Sequence, residues 1–175
     1  VPNFTGGTVM KPNSVNYDSL DYNSITYGKL SESEMFNIIK ETISDFDNDY
    51  VITIGTDSQT YSRTKVITVI AIHKVGKGGI FFYSSEHLKP ITNLRVKIYN
   101  ETMRSLELAK RLNEFLFNEN LDYDIFVHLD IGRSKKGKTA ELINELMGWV
   151  EAEGFMPEVK PNSYAASCIA DRISK

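Results

Sequence analysis

The chain has almost no cysteine, no long apolar run and no excess of positive charge, and each shortage removes a class of protein. A single cysteine, Cys168, can neither close an internal disulfide nor build a zinc cluster. That usage predicts a reducing compartment, most simply the cytoplasm. The longest apolar run, residues 66–72 with Thr68 inside it, is far shorter than the ~20 residues that cross a bilayer. The amino-terminal segment lacks the charged and apolar regions of a signal peptide, so no membrane partner is expected. Twenty Lys plus Arg against 23 Asp plus Glu leave a net charge of −3, which argues against coating nucleic acid by bulk charge. Any nucleic-acid contact has to come from a local patch.

What is present is an ordinary soluble composition. Hydrophobic residues at 41% and charged residues at 25% exclude disordered, collagen-like and fibrous chains. A length of 175 residues suits one domain with a single core. Residues 1–29 show no helical or strand period and carry turn signals at Gly6-Gly7 and Lys11-Pro12-Asn13, so they read as an irregular arm before one domain spanning 30–175. Ser31 and Glu34 form a capping box, with Leu30 and Met35 placed as a hydrophobic staple. They predict an N-terminal helix reaching about Phe46, with Ile38, Ile39, Ile43 and Phe46 inward.

Three apolar runs follow at 50–55, 65–73 and 79–83, separated by short polar or Gly-rich connections, and read as consecutive antiparallel strands. A helical pattern covers 94–118, then come a strand at 124–129, a basic loop, a helix at 140–153, a short strand at 157–160 and a last helix from Ser163. The fold class expected is α/β: a mixed five-stranded sheet, three antiparallel strands then αβ units, with helices on both faces and one extra N-terminal helix. Such a sheet brings the ends of its first and fourth strands together.

Each of those two ends delivers an aspartate, in Ile54-Gly55-Thr56-Asp57-Ser58-Gln59 and in His128-Leu129-Asp130-Ile131-Gly132. An aspartate at a strand end is also a common turn or cap residue. The long helix adds a carboxylate of a different kind. At ~100° per residue, Ile98, Ser105, Leu108, Ala109, Leu112 and Leu116 form one stripe, with Glu101 about 30° from its centre. Charged residues seldom lie on a buried stripe unless they are paired or ligate a metal. Asp171, in the last helix, lies roughly opposite an apolar face of Ala165, Ala166, Ile169 and Ile173, where an exposed aspartate is the default.

These elements and acidic positions resemble the RNase H-like nuclease fold. The segments IGTDSQ, HLDIG followed by GKT, and KPNSYAASCIADR resemble more narrowly the bacterial YkuK family of predicted RNase H-related nucleases. The resemblance covers roughly residues 30–175 and implies that Asp57, Glu101, Asp130 and Asp171 are catalytic, together holding two Mg²⁺ or Mn²⁺ ions that activate water against a phosphodiester. The residue types suit that chemistry, because hard cations take oxygen ligands and a pair of ions can clamp both oxygens of an in-line displacement.

Residues 132–139 match the G-x-x-x-x-G-K-[ST] nucleotide loop at every fixed position, between a strand and a helix. Only 36 residues follow, too few for the further parallel strands and second acidic motif of such an NTPase. The same segment places Arg133, Lys135, Lys136 and Lys138 directly after Asp130, where cations would hold substrate phosphates. A solvated surface loop is the plainer alternative. Lys160 lies near the last helix and would also reach phosphate. Ser58 and His128 would line the site, although a hydrogen-bonded structural histidine is the favoured reading of His128. The expected function is a metal-dependent nuclease acting on DNA, RNA or a hybrid. The alternatives are a non-catalytic nucleic-acid- or protein-binding module and, less favoured, a nucleotide hydrolase using 132–139.

Overall fold

The computed structural model describes residues 21–131 and 138–159, with the helix path alone for 138–140. In chain order the elements are β1 (Tyr22–Ser24), β2 (Gly28–Leu30), α1 (Glu32–Ile43), β3 (Tyr50–Thr60), β4 (Thr64–Lys74), β5 (Gly78–Leu88), α2 (Leu94–Asn118), β6 (Ile125–Leu129), α3 (Lys138–Ala152) and β7 (Met156–Val159).

The capping box forms as the sequence dictates: the Ser31 side chain accepts from the Glu34 amide, and the Ser31 amide donates to Glu34. The helix stops at Ile43, and the Ser44 amide and hydroxyl both bond back to the Lys40 carbonyl at its end. Phe46 is therefore outside the helix and 80% exposed, against the expectation that it faces inward.

The sheet has seven strands in the order β2-β1-β5-β4-β3-β6-β7. The five expected strands are β3 to β7. Two short strands are added from the segment expected to be irregular, and β1 pairs with β5 through Asn23 and Tyr83. The hairpin is anchored from below. Tyr22, 1% exposed, donates its hydroxyl hydrogen to Glu32 at 2.9 Å, and Arg111 of α2 grips both oxygens of the same carboxylate at 2.8 and 3.0 Å. Burial and the Glu32 charge push the Tyr22 hydroxyl's pKa far up, so it stays a donor. Tyr22→Phe keeps the ring and leaves Glu32 without one donor. It is expected to cost about 1–2 kcal/mol, read as a lower urea midpoint with an unchanged slope.

Strand alternation sorts the sheet into two faces. Ile52, Ile54, Ile70, Ile72, Phe82, Ile125 and Val127 lie on the face that meets α2, where Leu108, Ala109, Leu112 and Leu116 close the core. Helices α1 and α3 both contact α2, so the three helices lie side by side on that face. Helices on both faces were expected; among the described residues they occupy one, and the last helix expected from Ser163 lies outside them. Ile67 and Val69, with Phe81 and Tyr83, form a smaller apolar cluster on the other face.

Candidate functional site

The site is positioned by a change of partner along β3. Its parallel pairing with β6 ends at Gly55 and His128, while antiparallel pairing with β4 continues to Thr60 and Thr64. Where the two strands part, a crevice opens at their carboxyl ends, the place where open α/β sheets bind ligands.

Asp57 sits in that crevice, though within a strand rather than at its end. The expectation that β3 stops near Gly55 is corrected, because polar residues extend the ladder. Thr56 shares a hydroxyl bond with Thr68, and Thr60 with Thr64. A rule based on apolar runs does not register such pairs. Asp57, partly exposed and facing away from α2, accepts the Ser58 amide at 2.8 Å. It lines a shallow depression with Ser58, Gln59, Lys65 and Ile67.

Ser58 points the other way, toward α2, and donates its hydroxyl hydrogen to Glu101 Oε1 at 2.6 Å. Glu101 is 8% exposed, on the buried stripe that helical periodicity assigned to it. One turn further on, Ser105 bonds Thr56 Oγ1 at 2.9 Å and the Glu101 carbonyl at 3.1 Å, which stitches the helix to β3 beneath the carboxylate. Lys97, one turn before Glu101, brings its ammonium to 3.9 Å.

Burial pushes the Glu101 carboxyl up to about 7, and the charges of Asp57 and Asp130 act in the same direction. The Ser58 bond and Lys97 oppose the shift without cancelling it. Asp57 and Asp130 thus both lie within electrostatic reach of Glu101. Among the described residues, however, no group of three His, Cys, Asp or Glu side chains forms an arrangement that could hold a metal ion.

Asp130 follows β6 at a tight turn, in which the Ile131 amide bonds the Leu129 carbonyl at 2.8 Å. His128 shares the Asp57 face of the sheet and pairs with Glu158 across the β6–β7 ladder, Nε2 to Oε2 at 2.7 Å. Burial lowers its pKa while Glu158 opposes. The histidine is thus tied to β7, the structural alternative weighed for it, and it stands two residues from Asp130. Asp171, Lys160, Arg133, Lys135 and Lys136 lie outside the described residues, as does the Lys138 side chain at the start of α3.

Sequence reasoning missed Lys97, Lys65 and Gln59. Lys97 was within reach, as a lysine four residues before a buried glutamate. Lys65 and Gln59 become neighbours only through the β3–β4 register.

Comparison with known proteins gives two matches. The family model described as "Ribonuclease H-like" matches residues 34–175. The Bacillus subtilis (strain 168) protein described as "Uncharacterized protein YkuK" is 36% identical over 171 residues, covering 87% of this chain and 98% of that relative. No solved structure matches the chain. Among the described residues no helix is long and apolar enough to cross a membrane.

Proposed function

Because the chain belongs to the ribonuclease H-like family, with YkuK as a relative, we propose that it is a divalent-metal-dependent nuclease that hydrolyses phosphodiester bonds. The observation that carries this reading is the buried Glu101, whose carboxyl is raised to about 7 in a field to which Asp57 and Asp130 contribute. Asp57, Asp130 and a buried Glu101 that both aspartates push upward make a poor scaffold. As hard oxygen donors with excess negative charge, they fit Mg²⁺ or Mn²⁺. Asp57, Glu101 and Asp130 would hold such ions, with Asp171 as a fourth ligand. Bound ions would supply a water nucleophile at neutral pH and charge stabilisation for the leaving oxygen.

The chain's own residues prepare the site. Ser58 fixes Glu101 Oε1, and the Ser105–Thr56 bond fixes the helix turn beneath it. Lys97 limits the repulsion. Arg133, Lys135, Lys136, Lys138 and Lys160 are proposed to hold substrate phosphates.

Ser58 acts through Glu101, so its loss should show in metal affinity. Ser58→Ala is expected to weaken Mn²⁺ binding by about 10-fold or more, with Ser58→Thr recovering part of it, measured by calorimetry. Equal affinity in wild type and Ser58→Ala would exclude this role.

The activity itself is tested by incubating the chain with labelled single-stranded, duplex and hybrid oligonucleotides in Mg²⁺, Mn²⁺ and EDTA. Products in Mg²⁺ or Mn²⁺ and none in EDTA are expected. Binding that persists in EDTA without product on any substrate would favour the non-catalytic module, a reading that the absence of a closed metal group among the described residues keeps in view.

A further inference from the structure

The cations of the sheet are unevenly placed. The end where β3 and β6 begin carries Asp45, Asp47, Asp49, Glu119, Asp122 and Asp124, of which Asp45 and Glu119 are paired with Lys74 and Lys40. At the other end, next to Asp57, Glu86 and Glu101, the segments 58–65 and 87–97 contain no Asp or Glu of their own and hold Arg63, Lys65, Lys89, Arg95 and Lys97. Arg95 is engaged by Glu145, and Lys97 lies beside Glu101. Among the described residues, Arg63, Lys65 and Lys89 make no ion pair.

Register and the β3–β4 turn bring these three to the same end of the sheet. On the sheet face that carries Asp57, Gln59 lies opposite Lys65, and Lys65 lies opposite His87, forming one row across three strands. The β3–β4 turn at the edge of this row is closed by the Tyr61 amide on the Arg63 carbonyl. Arg63 in turn reaches the His87 carbonyl at 3.4 Å, and Lys89 follows on the next strand end. Tyr61 stands at the tip with 80% of its surface exposed. Lys65 lines the depression that contains Asp57, so the basic group begins beside that carboxylate. At ~3.3 Å per residue, Asp57 to Tyr61 spans ~13 Å, room for a few nucleotides.

We propose that the β3–β4–β5 end is a platform for a single-stranded nucleic acid leaving the carboxylate site, with Lys65, Arg63 and Lys89 on successive phosphates and the Tyr61 ring stacked on a base. An unpaired basic row beside an exposed aromatic ring is the combination that tracks single strands. In a chain of net charge −3, a local group of cations without ion pairs among the described residues gives a polyanion a place to bind. This rests on the nuclease reading for its direction, and the test separates the two.

Binding of a fluorescein-labelled single-stranded 20-mer is followed by anisotropy in Ca²⁺, with the oligonucleotide checked intact on a gel. The triple variant Arg63→Ala, Lys65→Ala, Lys89→Ala is expected to lose at least about 10-fold in affinity, and its log–log salt slope to fall by about 2. Tyr61→Ala is expected to lose about 10-fold while Tyr61→Phe binds as wild type does. All four positions are on the surface, and unchanged thermal melting confirms folding. A triple variant that binds and cleaves like wild type would overturn the platform alone. Tighter binding of the matching duplex would overturn the single-strand assignment. A wild-type chain that binds the strand but leaves it intact in Mn²⁺ would overturn the nuclease reading alone.

Discussion

Replacing Glu101 by glutamine is expected to stabilise the metal-free protein above neutral pH and, in the same variant, to abolish cleavage. The carboxyl is raised in the folded chain from an ordinary 4.5 to about 7, chiefly by burial. Between those values the native state holds a proton that the unfolded chain has lost, so stability falls as pH rises through that window. At ~1.4 kcal/mol per tenfold, the loss by pH 8 is about 3 kcal/mol, an upper figure for a group that can relax. Glutamine keeps an oxygen for the Ser58 hydroxyl and carries no charge. Urea denaturation in EDTA at pH 5 and pH 8 reads the effect: the wild type should lose stability relative to Glu101→Gln as pH rises. His128, with a depressed pKa, acts in the opposite direction in both proteins, so the difference between their profiles isolates Glu101. Added Mn²⁺ should stabilise the wild type and leave the variant little changed. Parallel profiles for the two proteins would mean that Glu101 carries no such strain.

The second large effect is at the aspartates. Asp57→Asn and Asp130→Asn are each expected to reduce cleavage by more than about 100-fold, beyond what losing a mere supporting partner of a metal ligand causes. Stability should hold or rise in EDTA, since each change removes a charge that pushes the Glu101 carboxyl up. A fall in activity together with a fall in stability would point instead to a folding defect. Cleavage at the wild-type rate in both variants would remove the mechanism.

These two effects differ in how far the sequence foretells them. Helical periodicity alone placed Glu101 on the buried stripe, because α2 runs over Leu94–Asn118 and its inward positions repeat cleanly. The aspartates were legible as the ends of apolar runs, but their setting was not. The β3 strand continues to Thr60 through hydroxyl and backbone pairs that carry no hydrophobic signal, so Asp57 lies inside a ladder, on the opposite face from its neighbour Ser58. That opposition lets one dipeptide serve two sides of the sheet. Ser58 supports the helix-borne carboxylate, and Asp57 faces the crevice.

Other features depend on contacts that no local pattern encodes. The β1–β2 hairpin consists of three-residue strands, Tyr-Asn-Ser and Gly-Lys-Leu, too short for alternation to show. It is held by Tyr22, Glu32 and Arg111, which are distant in sequence. Arg63, Lys65 and Lys89 likewise come to one end of the sheet only when the β3–β4–β5 pairing is known. The net charge of −3, which by itself speaks against nucleic acid, hides a local group of cations, Arg63, Lys65 and Lys89, near the carboxylates.

The most direct test of the central claim is a crystal soaked in Mn²⁺ and measured for anomalous scattering. Density in contact with Asp57, Glu101 and Asp130 is the predicted result. An absence of anomalous density there, in crystals of protein that cleaves oligonucleotides in Mn²⁺, would contradict it.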